Sequence, residues 1–188
     1  MPRDREPGPD RATGFTLIEM MIVVVIIAVL VTVAIIAYTR HIKKTRLVKE
    51  KVFVSKIQAL QETYFQQHGI YLNVTGPGSP YPAAIPTGDP IPWNPDPSTT
   101  LWDELGARPE AGHTYLQWFV AASTPTAHAT TTSHPSASFS NAAAAGLTSG
   151  VPWYYIYARG DLANDGAPYT EIFATSVKTE IWDRNEGD

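Results

Sequence analysis

The chain contains no cysteine. That absence excludes a disulfide, a thiolate metal site, a cysteine nucleophile and a haem-attachment motif. A globular part must then hold together by core packing or a bound ion, where small secreted domains often lean on disulfides. Also missing are Gly-x-Ser-x-Gly, His-Glu-x-x-His and any phosphate-cradling glycine loop. The histidines are scattered: His128 and His134 are six apart with no third ligand nearby, and His113 stands alone. They read as solvated surface. No internal repeat is visible, and nothing in these patterns supports an enzyme.

What is present is an apolar run. Residues 14–38 read GFTLIEMMIVVVIIAVLVTVAIIAY, and from Leu17 to Tyr38 only Glu19 and Thr32 are polar. At about 1.5 Å per residue, roughly 20 helical residues cross a hydrocarbon core of about 30 Å. A lone carboxylate near the end of such a span costs about 2.5–3.5 kcal/mol on insertion scales. A positive charge would offset it, and cutting the chain at Gly14–Phe15 would create one. Glu19 follows Phe15 by four residues, which on a helix puts both on one face. A carboxylate there also gains from the helix dipole. The plainer reading of Glu19 is a side chain snorkelling at the membrane edge. The leader does not fit a secretory signal. Arg3, Arg5 and Arg11 are offset by Asp4, Glu6 and Asp10, and no small-residue cleavage site follows an apolar region.

Gly14, Phe15, Thr16, Leu17, Ile18 and Glu19, followed by an unbroken hydrophobic run, resemble the class III signal of type IV pilins and of type II secretion pseudopilins. The resemblance implies a leader, residues 1–14, removed by a prepilin peptidase that cuts between Gly14 and Phe15 and methylates Phe15. Residues 15–38 would form the membrane and filament-core half of a helix, and 39–68 its amphipathic stalk half. Residues 69–188 would be a globular head. The fold implied is α+β and pilin-like, one long N-terminal helix packed on a small antiparallel sheet. Glu19 would meet the amine of a neighbouring subunit and set the register of a polymer. Partners would be other pilin subunits, the prepilin peptidase and the inner-membrane assembly machinery. The precursor would sit in the bacterial inner membrane as a single span, head in the periplasm, before joining a pilus or pseudopilus. Where pilins often have Gly and Pro within the run, this chain has Ala28 and Ile36. Without that Pro the helix keeps its hydrogen bonds, so the helix is expected to be continuous and the chain to be a minor pilin. A type II secretion pseudopilin is the near alternative. From another class, so is a single-span anchored binding domain or adhesin that never polymerises.

Beyond the run, Phe53, Ile57, Leu60 and Tyr64 form one helical stripe, which Val52 and Phe65 would widen. Gly69 supplies a stop, giving a helix from Thr16 to Gln67. Prolines from Pro77 to Pro97 exclude long regular elements in the Pro/Gly-rich loop 73–109, with Trp93 and Trp102 pinning it to the head. Strands are expected at Tyr115–Ala122, Val151–Arg159, Thr170–Val177 and Glu180–Trp182. The Ala/Ser/Thr-rich loop 123–150 reads as low-complexity.

Charge is unevenly spread. Arg40, Lys43, Lys44, Arg46, Lys49, Lys51 and Lys56 crowd the stalk, opposed by Glu50, while residues 69–188 carry four basic and twelve acidic side chains. One subunit's stalk would attract its neighbour's head; the plainer reading is two solvated faces. The positive-inside bias would put the basic cluster in the cytoplasm, against the orientation the resemblance implies. General nucleic-acid binding is not expected, since the cluster adjoins the membrane and the head is acidic.

Arg159–Gly166 partly matches a calcium loop, with Asp161, Asp165 and Gly166 in place but Ala163 and Ile172 where ligands belong. A tight turn explains Asn-Asp-Gly without metal. No cofactor is required on this reading, and calcium at Asp161, Asn164 and Asp165 is the one ion considered. Asn73-Val74-Thr75 fits a glycosylation acceptor, a pattern common by chance.

Overall fold

The computed structural model describes residues 14–76, 79–123, 146–162, 164, 166, 169–178 and 180–185. The leader (1–13) and most of the Ala/Ser/Thr-rich loop (124–145) fall outside the described residues. The chain divides into two units, Met1–Thr39 and Arg40–Asp188. The first is the apolar part of helix α1 (Leu17–His68). Its one mid-run polar side chain, Thr32, turns its hydroxyl back to the Val29 carbonyl at 2.7 Å, so no unpaired group faces outward there. As expected from Ile36 in place of Pro, α1 runs without interruption.

The second unit holds the rest of α1 and the head. α1 stops where Gly69 takes the left-handed conformation (φ 71°) and donates to the Phe65 carbonyl at 2.7 Å. Two short strands, β1 (Ile91–Pro92) and β2 (His113–Thr114), pair with each other. Between them lies one helical turn, α2 (Trp102–Leu105), closed by Gly106 at φ 71°. The main sheet is an antiparallel meander of β3 (Gln117–Ala122), β4 (Tyr154–Gly160), β5 (Thr170–Thr175) and β6 (Trp182–Arg184).

The strands start later than expected, at Gln117 and Tyr154 in place of Tyr115 and Val151. The N–H groups of Tyr115 and Leu116 go to Glu50 and Thr114 side chains, and that of Trp153 to the Ser123 hydroxyl. Ladder pairing begins at Gln117 and Tyr154. Likewise β5 ends at Thr175, whose hydroxyl takes the Lys178 N–H, and β6 begins at Trp182.

Both faces of the sheet are covered. Trp118, Val120, Tyr154, Ile156, Ala158, Ile172 and Ala174 join the α1 side chains Leu47, Phe53, Val54 and Ile57 in the main core. Phe53 sits at its centre, 5.3 Å from the Trp93 ring, 6.3 Å from Trp102 and 4.9 Å from Trp118. Trp93 and Trp102 thus pin the Pro-rich segment as the sequence suggests. On the other face Phe119, Tyr157, Phe173 and Trp182 stand opposite one another across the four strands, joined by Trp153, Tyr155 and Leu147.

The expected helix stripe is present: Phe53 and Ile57 are buried, and Leu60 and Tyr64 pack half-buried against the same core, while its expected widening differs. Val52 is exposed, and Phe65 stacks on Tyr71 with ring centres 4.6 Å apart. The buried face also takes in Leu47, Glu50, Val54 and Gln61, two of them polar. Gln61 clasps Leu72, donating to its carbonyl at 2.8 Å and accepting its N–H at 2.9 Å. Arg46 donates to the Gly88 carbonyl at 2.8 Å and Lys56 to that of Arg108 at 2.9 Å. α1 is therefore fixed to four separate stretches of head backbone.

Candidate functional site

The first candidate site is the stretch from Gly14 to Glu19. Gly14, Phe15 and Thr16 precede α1 and are exposed. Thr16 is the N-cap. Its carbonyl accepts the Met20 N–H at 3.3 Å, the first bond of the helix, and its hydroxyl accepts the Glu19 N–H at 3.3 Å. In return Glu19 Oε2 accepts both the Thr16 N–H and the Thr16 hydroxyl, each at 2.8 Å. This reciprocal pair is a capping box, and it satisfies donors that a helix start otherwise leaves unpaired. The signal is in the sequence as Thr16-x-x-Glu19, but the expectations for Glu19 are an amine at Phe15, the helix dipole or the membrane edge, not a cap. In the uncut chain the Phe15 nitrogen is an uncharged amide, and Phe15 lies before the cap, so it shares no helical face with Glu19. The two Thr16 bonds fall on one carboxylate oxygen. Gly14 has open space around it, and a methyl group there would meet no heavy atom within 4 Å.

The family model for the prokaryotic N-terminal methylation motif matches residues 10–35. The chain carries the class III signal of type IV pilins and pseudopilins. The motif supports a pilin- or pseudopilin-like substrate of prepilin peptidase. The motif and the apolar helix, long enough to cross a bilayer, fit a membrane-anchored precursor that goes on to assemble with pilin subunits and membrane machinery. No curated protein and no solved structure matches the chain.

The second candidate is the turn after β4. Asp161 is buried, its N–H donates to the Pro86 carbonyl at 2.9 Å, and its Oδ2 accepts the Gly166 N–H at 2.9 Å. Asn164 takes a left-handed conformation (φ 56°) and packs on Gly88, where an added methyl group would approach its Cβ to 3.1 Å. Asp161 therefore closes the turn. Asp165 lies outside the described residues. Among the described residues no three His, Asp or Glu side chains come together in a metal-holding group.

A third site was missed. Glu50, counted from the sequence as a surface counter-charge to the basic stalk, is buried. Its Oε1 accepts the Tyr115 N–H at 2.7 Å, and the Thr114 hydroxyl lies 3.4 Å away. Burial pushes its carboxyl from 4.5 up to about 7, against smaller opposing pulls from Tyr115, Thr114 and Lys49. The Arg46 guanidinium lies over the Tyr115 ring, 4.6 Å from its centre. Only the position of Glu50 within the buried stripe, three residues from Leu47 and four from Val54, could have signalled this.

Proposed function

We propose that this chain is a structural subunit, a minor pilin, of a type IV pilus-like filament, with no catalytic chemistry of its own. A prepilin peptidase cuts between Gly14 and Phe15 and methylates Phe15. The head faces the periplasm. Glu19 then meets the cationic terminus of a neighbouring subunit, in surroundings where that attraction is far stronger than in water. Packing of the N-terminal helices supplies cohesion, and the filament serves adhesion, motility, DNA uptake or secretion.

The capping box carries this reading. The Thr16 bonds fall on Oε2 of Glu19, which leaves Oε1 for a second partner. The open space around Gly14 adds support. Neither a positive φ nor a crowded approach demands glycine there, so a demand for it belongs to the peptidase. The uninterrupted helix favours a minor subunit over the main building block. The test is the mass of the membrane-extracted protein together with the fate of Glu19→Ala. A mature chain starting at methylated Phe15 is expected, and E19A should insert in the membrane yet fail to enter sheared surface fibres. A native chain still starting at Met1 would leave only a tethered domain. Normal incorporation of E19A would remove charge pairing from the account.

A further inference from the structure

The stalk cations are not equivalent. Arg46 and Lys56 are held by head carbonyls and Lys51 pairs with Asp183 at 2.9 Å. Lys49 lies beside Glu50 and lowers its carboxyl pKa. Arg40, Lys43 and Lys44 differ, having no ion pair or hydrogen bond among the described residues. Arg40 and Lys44 are exposed and Lys43 is half-buried. Between Met20 and Gln61 the only acid is Glu50, and it is buried and bonded to Tyr115. Among the described residues, three positive charges therefore stand uncompensated directly after the apolar run.

Their position along the chain picks out a partner. Counting from Tyr38 at about 1.5 Å per helical residue, Arg40, Lys43 and Lys44 come about 3–9 Å past the end of the run. The polar headgroup layer on each side of a bilayer is about 5–8 Å deep. We propose that Arg40, Lys43 and Lys44 form a collar that binds the phosphates of anionic phospholipids. The Arg40 guanidinium suits a two-point grip on phosphate oxygens, and the two lysines act as point charges on flexible stems. A neighbouring copy's acidic head would have to be brought down to this depth, whereas lipid phosphate is already there. The inference goes beyond the filament reading. It needs the apolar run in the bilayer, not the cut at Gly14 or polymerisation.

The test uses the full chain in zwitterionic detergent micelles titrated with phosphatidylglycerol or phosphatidylcholine, with bound lipid counted by native mass spectrometry. A cation near an anionic surface contributes roughly fivefold, so three give a preference of about a hundredfold for phosphatidylglycerol. R40Q/K43Q/K44Q should lose that preference while binding phosphatidylcholine as before. K56Q, whose native side chain is engaged with Arg108, should keep it. Equal retention of both lipids by the wild type would overturn the collar. So would a triple variant that still selects phosphatidylglycerol, or a loss in K56Q as large as in the triple variant. A chain that fails to be cut at Gly14 but selects phosphatidylglycerol leaves the collar standing and removes only the filament reading.

Discussion

Acidification should stabilise the head, and Glu50 is the reason. Its side chain is 4% exposed and is held by the Tyr115 N–H. Burial raises its carboxyl from 4.5 to about 7 in the folded chain. The folded state then binds this proton more tightly than the unfolded state does. Between those two values the native protein carries more protons, so stability falls as pH rises. The contribution is complete below the unfolded value and is lost as pH climbs through the folded one. A gap from 4.5 to about 7 corresponds to about 3 kcal/mol at roughly 1.4 kcal/mol per unit. The assay is denaturant unfolding of the full chain in micelles at pH 5 and pH 8, followed by tryptophan fluorescence. All tryptophans (93, 102, 118, 153 and 182) lie in the head, so the signal reports that unit alone. Glu50→Gln keeps an oxygen facing the Tyr115 N–H but cannot titrate. It should flatten the profile and exceed the wild type in stability above pH 7. A wild-type profile that is level or rising across this range would refute the reasoning, as would E50Q retaining the wild-type slope.

Gln61→Ala strands both backbone groups of Leu72, each carrying a burial penalty of about 1–3 kcal/mol, and the same unfolding assay should register the loss. Gly160→Ala should destabilise by about 1–3 kcal/mol; its new methyl group would fall 2.5 Å from the Tyr115 carbonyl oxygen, a backbone atom with little freedom to move. A variant as stable as the wild type would mean that β4 can shift away from residue 115. Thr16→Val removes the hydroxyl half of the capping box, worth about 1 kcal/mol. Amide exchange at Met20 should quicken severalfold, with exchange at Ile57 unchanged.

The sequence exposed those elements whose physics is periodic. A hydrophobic run of bilayer length, a stalk stripe at helical spacing and aromatic strands each announce themselves within a few residues. Elements created by long-range pairing did not. β1 and β2 are two residues each, too short for a pattern, and exist only because residues 91 and 114 meet. Glu50 and Gln61 look like solvent-facing residues until Tyr115 and Leu72 arrive to satisfy them. Alternation is masked in β3 and β4 because the sheet is covered on both faces, leaving near-continuous apolar strands. The Thr16–Glu19 box was legible, yet the signal around it drew attention to charge and away from capping.

The four ties from α1 to the head have a mechanical corollary. Arg46, Glu50, Lys56 and Gln61 grip backbone at Gly88, Tyr115, Arg108 and Leu72, segments far apart in the chain. Tension drawn along the helix loads these bonds in parallel, in shear, with the ring cluster around Phe53 between them. None can be peeled open ahead of the rest. Under single-molecule pulling such a joint should yield in one abrupt rupture at high force, without a staircase of small extensions.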